Sequence, residues 1–144
     1  MAPREMTRTA FYVLTALADE PRHGYGIVQE TEALSEGQVR LRIGTLYGVL
    51  DRLAAEGLIA LDREEAHQGR LRRYHRLTDG GEAALSAEAR RMASGARTAA
   101  RRIEARRDRA RQAEARRSEG HRIGHDPRPA RPGVAGDAVP EGAP

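Results

Sequence analysis

The chain has 144 residues, one domain's worth of sequence. It contains no cysteine, so a disulfide framework, a thiolate zinc site and a thiol switch are all excluded. All 25 basic residues are arginine, against 21 acids, and a net charge of +4 suits nucleic acid, an anionic membrane or a merely solvated helix alike.

The charge is unevenly placed. Residues 1–85 carry 11 arginines against 13 acids, whereas residues 86–122 carry 12 against 5. The longest early apolar run, Phe11 to Leu14, is too short for a signal-peptide core or a membrane span. A soluble cytoplasmic protein without membrane contact is therefore expected. All five aromatic residues lie in the first 74 positions, and five of the seven prolines lie at or after Pro127. This asymmetry divides the chain into residues 1–78, 79–118 and 119–144.

Ala10, Val13, Leu14, Leu17 and Ala18 recur at the spacing of an amphipathic helix, which Pro21 should end at Asp19 or Glu20. A second helix is predicted from Gly24 to about Leu34, with Ile27, Ala33 and Leu34 available for burial, before a loop at Ser35-Glu36-Gly37. The spacing of Leu46, Val49, Leu50 and Leu53 predicts a third helix from Gly44 or Thr45 to Glu56. Gly57 stands at its left-handed C-terminal position and Leu58 closes the cap. Leu58 to Glu64 and Leu71 to Leu77 then read as a hairpin around the turn Glu65 to Gly69, and Thr78 is a good N-cap for a helix opening at Asp79.

From Asp79 to about Arg117 the sequence is almost pure helix former. Leu85, Ala89, Met92, Ala96, Ala99, Ile103, Arg106 and Ala110 step by alternating fours and threes, a heptad seam whose alanines bury little area and call for help from the first helix or a partner chain. The first six are the candidate dimerisation residues. From about His121 the chain is proline, glycine and charge, and a disordered tail is expected. His121 and His125 are four residues apart, but Gly124 and Pro127 oppose a helix there, so neither a metal site nor any cofactor is expected.

Three short helices followed by a β-hairpin is the order of a winged helix-turn-helix domain, in which the third helix enters the major groove and the hairpin reaches the flanking backbone or minor groove. The fold class expected is mainly α with a small hairpin, continued by a long C-terminal dimerisation helix. Arg40 and Arg42 precede the third helix, whose N-terminus also favours phosphate, and Thr45, Gly48, Asp51 and Arg52 are left facing outward. Gly69 to Arg76 contains four arginines and no acid.

Pro21-x-His23-Gly24-Tyr25-x-Ile27, then Gly44-Thr45-Leu46-Tyr47-x-x-Leu50-x-Arg52-Leu53 with Gly57-Leu58-Ile59, then Gly69-Arg70-x-Arg72-Arg73-Tyr74 and Leu77-Thr78-x-x-Gly81 resemble the PadR family of transcriptional regulators. The match spans residues 10–85 in order, with Ile43 and His75 departing from the family pattern. The resemblance implies a homodimeric repressor whose single long C-terminal helix dimerises, as in the family's shorter subgroup. It also implies double-stranded DNA as partner, in the form of a palindromic operator, and a small-molecule effector of unassigned identity.

Each candidate contact also has a plain structural role. His23 suits a helix-start hydrogen bond as well as a phosphate, and Tyr25 suits packing. Tyr47 lies outside the Leu46/Leu50 stripe, where its hydroxyl can reach DNA backbone. Arg52 can pair with Asp51 or Glu56 instead of DNA. Arg70 and Arg72, with Gln68 in the turn, form an arginine cluster that is costly without a polyanion. No nucleophile elbow or phosphate loop occurs, so no enzyme is expected. The rival readings are a sequence-indifferent binder of nucleic acid or anionic surfaces, driven by the basic long helix, and a protein-interaction module with a relic DNA-binding domain.

Overall fold

The computed structural model describes residues 5–123 and 142. In chain order it contains α1 (Arg8–Ala16), β1 (Arg22–His23), α2 (Gly24–Leu34), α3 (Ile43–Ala55), β2 (Ile59–His67), β3 (Arg70–Leu77) and α4 (Asp79–Ile123). One compact unit runs to residue 98 and a second begins at residue 99.

Thr7 caps α1, its hydroxyl accepting from the Ala10 amide at 3.1 Å. The helix ends at Ala16, short of the expected Asp19 or Glu20, because the chain tightens there: the Leu17 amide bonds Leu14 O at 3.1 Å, and Arg22 Nε takes Ala16 O at 2.8 Å. An arginine thus satisfies a carbonyl left open at the helix end. The α2 helix matches its expected span, but its burial differs. Gly24, Ile27 and Thr31 face inward, while Ala33 and Leu34 are exposed. Thr31 Oγ1 is buried with no hydrogen-bond partner among the described residues.

The inward stripe of α3 is Leu46, Val49, Leu50 and Leu53, as its spacing requires. Its end is a Schellman closure: the Gly57 amide bonds Ala54 O and the Leu58 amide bonds Leu53 O, both at 3.0 Å, with Gly57 at φ +75°. The core joins these leucines to Val13, Leu14, Leu17, Ile27 and Ile59, with Leu41, Leu58, Leu77 and Leu85 packed around it.

The sheet has three antiparallel strands in the order β1-β3-β2, where the sequence suggested a two-stranded hairpin. Two residues of β1 pair with β3, Arg22 with His75 and His23 with Tyr74. The hairpin turn is also shorter than expected. Gln68 and Gly69, at φ +50° and +76°, turn the chain alone, so Glu65, Ala66 and His67 belong to β2. Positive φ at both central residues is the type I′ pattern, whose twist matches that of paired strands. A bulge between Leu61 and Arg63 takes up one residue.

Thr78 opens α4 as expected: its hydroxyl accepts from the Gly81 amide at 3.0 Å and donates to Gly57 O at 2.6 Å. Gly81 lies against the preceding loop, and a Cβ there would fall 2.0 Å from Leu58 O. The helix continues past the expected boundary at residue 118 to Ile123, which makes His121 helical. His125 and, except for Gly142, the remainder of the expected tail lie outside the described residues. In the unit that begins at Ala99, residues 99–121 of α4 are all exposed, and Arg111 is paired with Glu104 at 3.1 Å and with Asp108. Among the described residues no helix is long and apolar enough to cross a membrane, and no three His, Cys, Asp or Glu side chains gather as a metal set.

Candidate nucleic-acid interface

The close approach of α2 to α3 begins with Gly24, where an added Cβ would lie 3.3 Å from both Ile43 Cδ1 and Tyr47 Oη. A side chain there would require the Ile43 and Tyr47 side chains to give by a few tenths of an ångström. The wing formed by β2 and β3 projects beside this junction, and between them lies an open groove of about 860 Å³.

Six of the eleven residues singled out as DNA contacts line this groove: His23, Tyr25, Tyr47, Gln68, Arg70 and Arg72. Tyr25 and Tyr47 are 63% and 53% exposed, so neither is consumed by packing. The remaining five lie elsewhere. Thr45, Gly48 and Arg52 are exposed along α3, and Arg42 is exposed at its N-cap position without a capping side-chain bond. A Cβ at Gly48 would meet nothing within 4 Å, which leaves that face of α3 open to close approach. Arg40 is also exposed, but its guanidinium lies 3.4 Å from Glu32 Oε1.

Ile43, His67, Leu71 and Arg73 line the groove as well, though none was singled out from sequence. For Leu71 the signal was present: an apolar residue in a polar hairpin, with no core position to fill, ends up 62% exposed. For His67 there was none, since the longer turn expected there would have placed it in a loop.

The strand register revises the electrostatics of the wing. Acids are absent from β3 itself, but β2 sets Glu64 opposite Arg73 and Glu65 opposite Arg72. Glu64 forms an ion pair with Arg73 at 3.2 Å, so that arginine is largely neutralised. Glu65 accepts instead from Arg63 Nε at 2.7 Å, and the Arg63 guanidinium also lies 4.1 Å from the Tyr74 ring centroid. Arg70 and Arg72 form no ion pair among the described residues, nor does Arg52, whose neighbours Asp51 and Glu56 stay unengaged with it.

His23 sits at the hinge of the groove, in edge contact with Tyr74 at 5.4 Å between ring centroids. Burial, then the Arg72 guanidinium, then His67 hold its imidazole below the ordinary histidine value. His75, on the neighbouring register position, is likewise lowered by burial and by Arg73, against a smaller opposing pull from Asp51. Both rings are thus held in the neutral form near pH 7. The groove presents hydroxyls, apolar edges and two guanidiniums that form no ion pair among the described residues, a combination that fits phosphate backbone flanked by bases.

On α4, Leu85 is half-buried against the chain's own core, whereas Ala89, Met92, Ala96, Ala99 and Ile103 are exposed.

Comparison with known proteins agrees with this geometry. The model of the transcriptional regulator PadR-like family matches residues 13–87. Transcriptional regulator Rv3488 of Mycobacterium tuberculosis (strain ATCC 25618 / H37Rv) is 39% identical over 89 residues, which are 60% of this chain and 79% of that protein. Among solved structures, a PadR-like transcription factor from Bacteroides fragilis is 30% identical with a TM-score of 0.52, over 61% of this chain and 82% of its own. A PadR family regulator from Clostridium difficile R20291 has a TM-score of 0.53 over 61% of this chain and 90% of its own, and at 21% identity it speaks for the fold alone.

Proposed function

Because the chain belongs to the PadR-like family of transcriptional regulators, we propose that it is a sequence-specific DNA-binding protein that works as a homodimer on a palindromic operator. In this reading the outward face of α3, with Thr45, Gly48 and Arg52, enters the major groove. The wing, with Gln68, Arg70 and Arg72, follows the flanking backbone, and His23, Tyr25 and Tyr47 contact phosphates between them. Two copies join through α4, and the pair acts in the cytoplasm as a repressor released by a small-molecule effector.

The observation that carries the reading is the groove itself. It gathers the wing arginines, both exposed tyrosines and His23 beside the first turns of α3, and among the described residues no acid forms an ion pair with Arg70 or Arg72. The long helix contributes Met92 and alanines but no aromatic ring, so an effector held there would be gripped by aliphatic contact rather than by stacking.

The test is selection of genomic DNA fragments by the purified protein, followed by sequencing. The expected result is an inverted repeat whose half-sites are about one helical turn apart, or a multiple of it. Fragments enriched without a common motif would instead identify a sequence-indifferent binder and overturn the proposal.

A further inference from the structure

Two imidazoles share the groove with the wing arginines. His23 reaches it from β1 and His67 from the last position of β2, beside Arg70, Arg72 and Arg73, and no carboxylate lines it among the described residues. All of these residues belong to the unit that ends at residue 98.

Neither ring is used up by hydrogen bonding within the described residues. His23 occupies the N-cap position of α2 but makes no capping bond, and its ring rests in edge contact with Tyr74 at 5.4 Å. His67 is exposed opposite Arg70 across the two-residue turn and forms no hydrogen bond or ion pair there. Both therefore keep ring nitrogens available for a ligand.

The groups that face the two rings are cationic or neutral. Arg72 and Tyr74 come from β3, Tyr25 from α2 and Tyr47 from α3, and the rings also face each other across the groove. The nearby acids have other partners. Glu65, two residues before His67, bonds Arg63 at 2.7 Å, and Glu64 pairs with Arg73 at 3.2 Å. Asp19, Glu20 and Glu30 lie 3.1, 3.2 and 3.9 Å from the guanidinium of Arg22, the residue before His23. The α2 helix opens here with no acid in its first turn, so its free amides add to the positive potential.

An empty groove of this composition opposes charge on its histidines. Burial and then Arg72 hold His23 below its ordinary value, and His67 adds in the same direction. A phosphate in the groove reverses the electrostatic part of this. It neutralises Arg72, supplies the anion that the lining lacks and accepts a charge-assisted hydrogen bond from an imidazolium. The effect is reciprocal: whatever phosphate adds to a ring's affinity for its proton, the proton adds to the groove's affinity for phosphate.

We infer that His67 is a further DNA contact of the wing, and that His23 and His67 take up protons as phosphate enters the groove, which couples DNA binding to pH. This inference rests on the reading of the groove as the DNA-binding face and adds to it one residue and one chemical signal. The sign separates the coupling from a loss of structure. Lowering the pH weakens the free fold through the neutral His23, yet it should strengthen DNA binding, so partial unfolding does not imitate the effect.

The test titrates the full chain with a random-sequence duplex at low, constant ionic strength between about pH 8 and about pH 5. Random sequence suffices because phosphate contacts carry no sequence information. An opposite charge beside an ionisable group changes its proton affinity by about tenfold or more, so two rings should raise duplex affinity about a hundredfold per copy as the pH falls. His23→Gln and His67→Gln should each remove about tenfold of that rise, and the double variant should flatten it. His75→Gln, which lies outside the groove lining, should keep the full rise. Calorimetry of the unmodified protein at about pH 6.5, in two buffers of different ionisation enthalpy, should count about one proton taken up per copy.

An affinity that stays flat with pH, a proton count of zero, a rise that persists in the double variant or one that is lost in His75→Gln would overturn the inference. No binding of the duplex at any pH would overturn it together with the reading of the groove. A genomic selection that returns no common motif would fall on the regulatory reading alone and leave the proton uptake standing.

Discussion

Neutralising the wing should change how DNA affinity responds to salt before it changes which sequence is bound. Four arginines per copy at the candidate interface, Arg42, Arg52, Arg70 and Arg72, form no ion pair among the described residues. In the proposed dimer about eight cations, the groove-facing Arg52 of each copy included, then reach the DNA, and at about 0.9 counterions released per contact the slope of log affinity against log salt is about −7. Over the fourfold rise from 50 to 200 mM salt this amounts to a loss of about 10⁴ in affinity. Arg72→Ala removes two contacts per dimer, so the slope should relax to about −5 and the loss over the same range to about 10³.

Arg70→Ala should behave in the same way. Arg73→Ala is the informative control, because its guanidinium is already held by Glu64 at 3.2 Å and should leave the slope close to that of the parent. Fluorescence anisotropy titrations of one duplex at five salt concentrations give these slopes directly. Equal slopes for Arg72→Ala and the parent, or a larger change for Arg73→Ala than for Arg72→Ala, would refute the assignment of phosphate contacts by ion-pair availability.

Thr45→Ala should alter base preference at one position of each half-site without changing the salt slope, as read by binding to single-substituted operators; a uniform loss across all sequences would contradict a groove-facing Thr45. Gly81→Ala should destabilise the domain by about 3 kcal/mol or more in urea unfolding, because its Cβ would fall 2.0 Å from the Leu58 carbonyl oxygen that receives the Thr78 amide; a wild-type midpoint would refute the close approach. Thr31→Val should stabilise by about 1 kcal/mol in the same assay, since it removes a buried hydroxyl that has no partner among the described residues and retains the branched shape. The lowered values of His23 and His75 mean that the unfolded chain binds more protons below about pH 6.5, so stability should be full above that pH and fall as pH drops. His75→Gln should flatten this fall, and a stability that rises toward pH 5 would reverse the sign of the argument.

The elements that sequence located best are those whose local and tertiary signals coincide. In α3 the leucine spacing, the glycine that must adopt positive φ and the Leu58 that closes the cap all specify one helix end, and each is found in place. In α2 the apolar residues near the end, Ala33 and Leu34, were poorer guides than position. The inward face continues from Ile27 to Thr31 one turn later, and a hydroxyl is buried where apolarity alone would not have put it. The two residues of β1 carry no periodicity at all. They are extended beyond Pro21 and become a strand only because β3 runs beside them, a contact between positions more than fifty residues apart.

The candidate site was legible in residue type but not in which charges remain available, because that depends on a turn. Closing the hairpin between Glu64 and Leu71, as sequence suggested, would set Arg63 opposite Arg72 and Asp62 opposite Arg73. Like charges directly opposed across a sheet are destabilising. The two-residue turn at Gln68 and Gly69 shifts the register, so that Glu65 faces Arg72, Glu64 faces Arg73 and Arg70 stands at the tip opposite His67. The same register sets Arg63 opposite Tyr74, where its guanidinium lies against the ring and engages Asp62 and Glu65. Glutamine is not a habitual turn residue at positive φ, so only Gly69 hinted at this turn. Its effect reaches the chemistry all the same: the shift gives Glu64 to Arg73 and Glu65 to Arg63, and leaves Arg70 and Arg72 as wing cations that line the groove without an ion pair among the described residues.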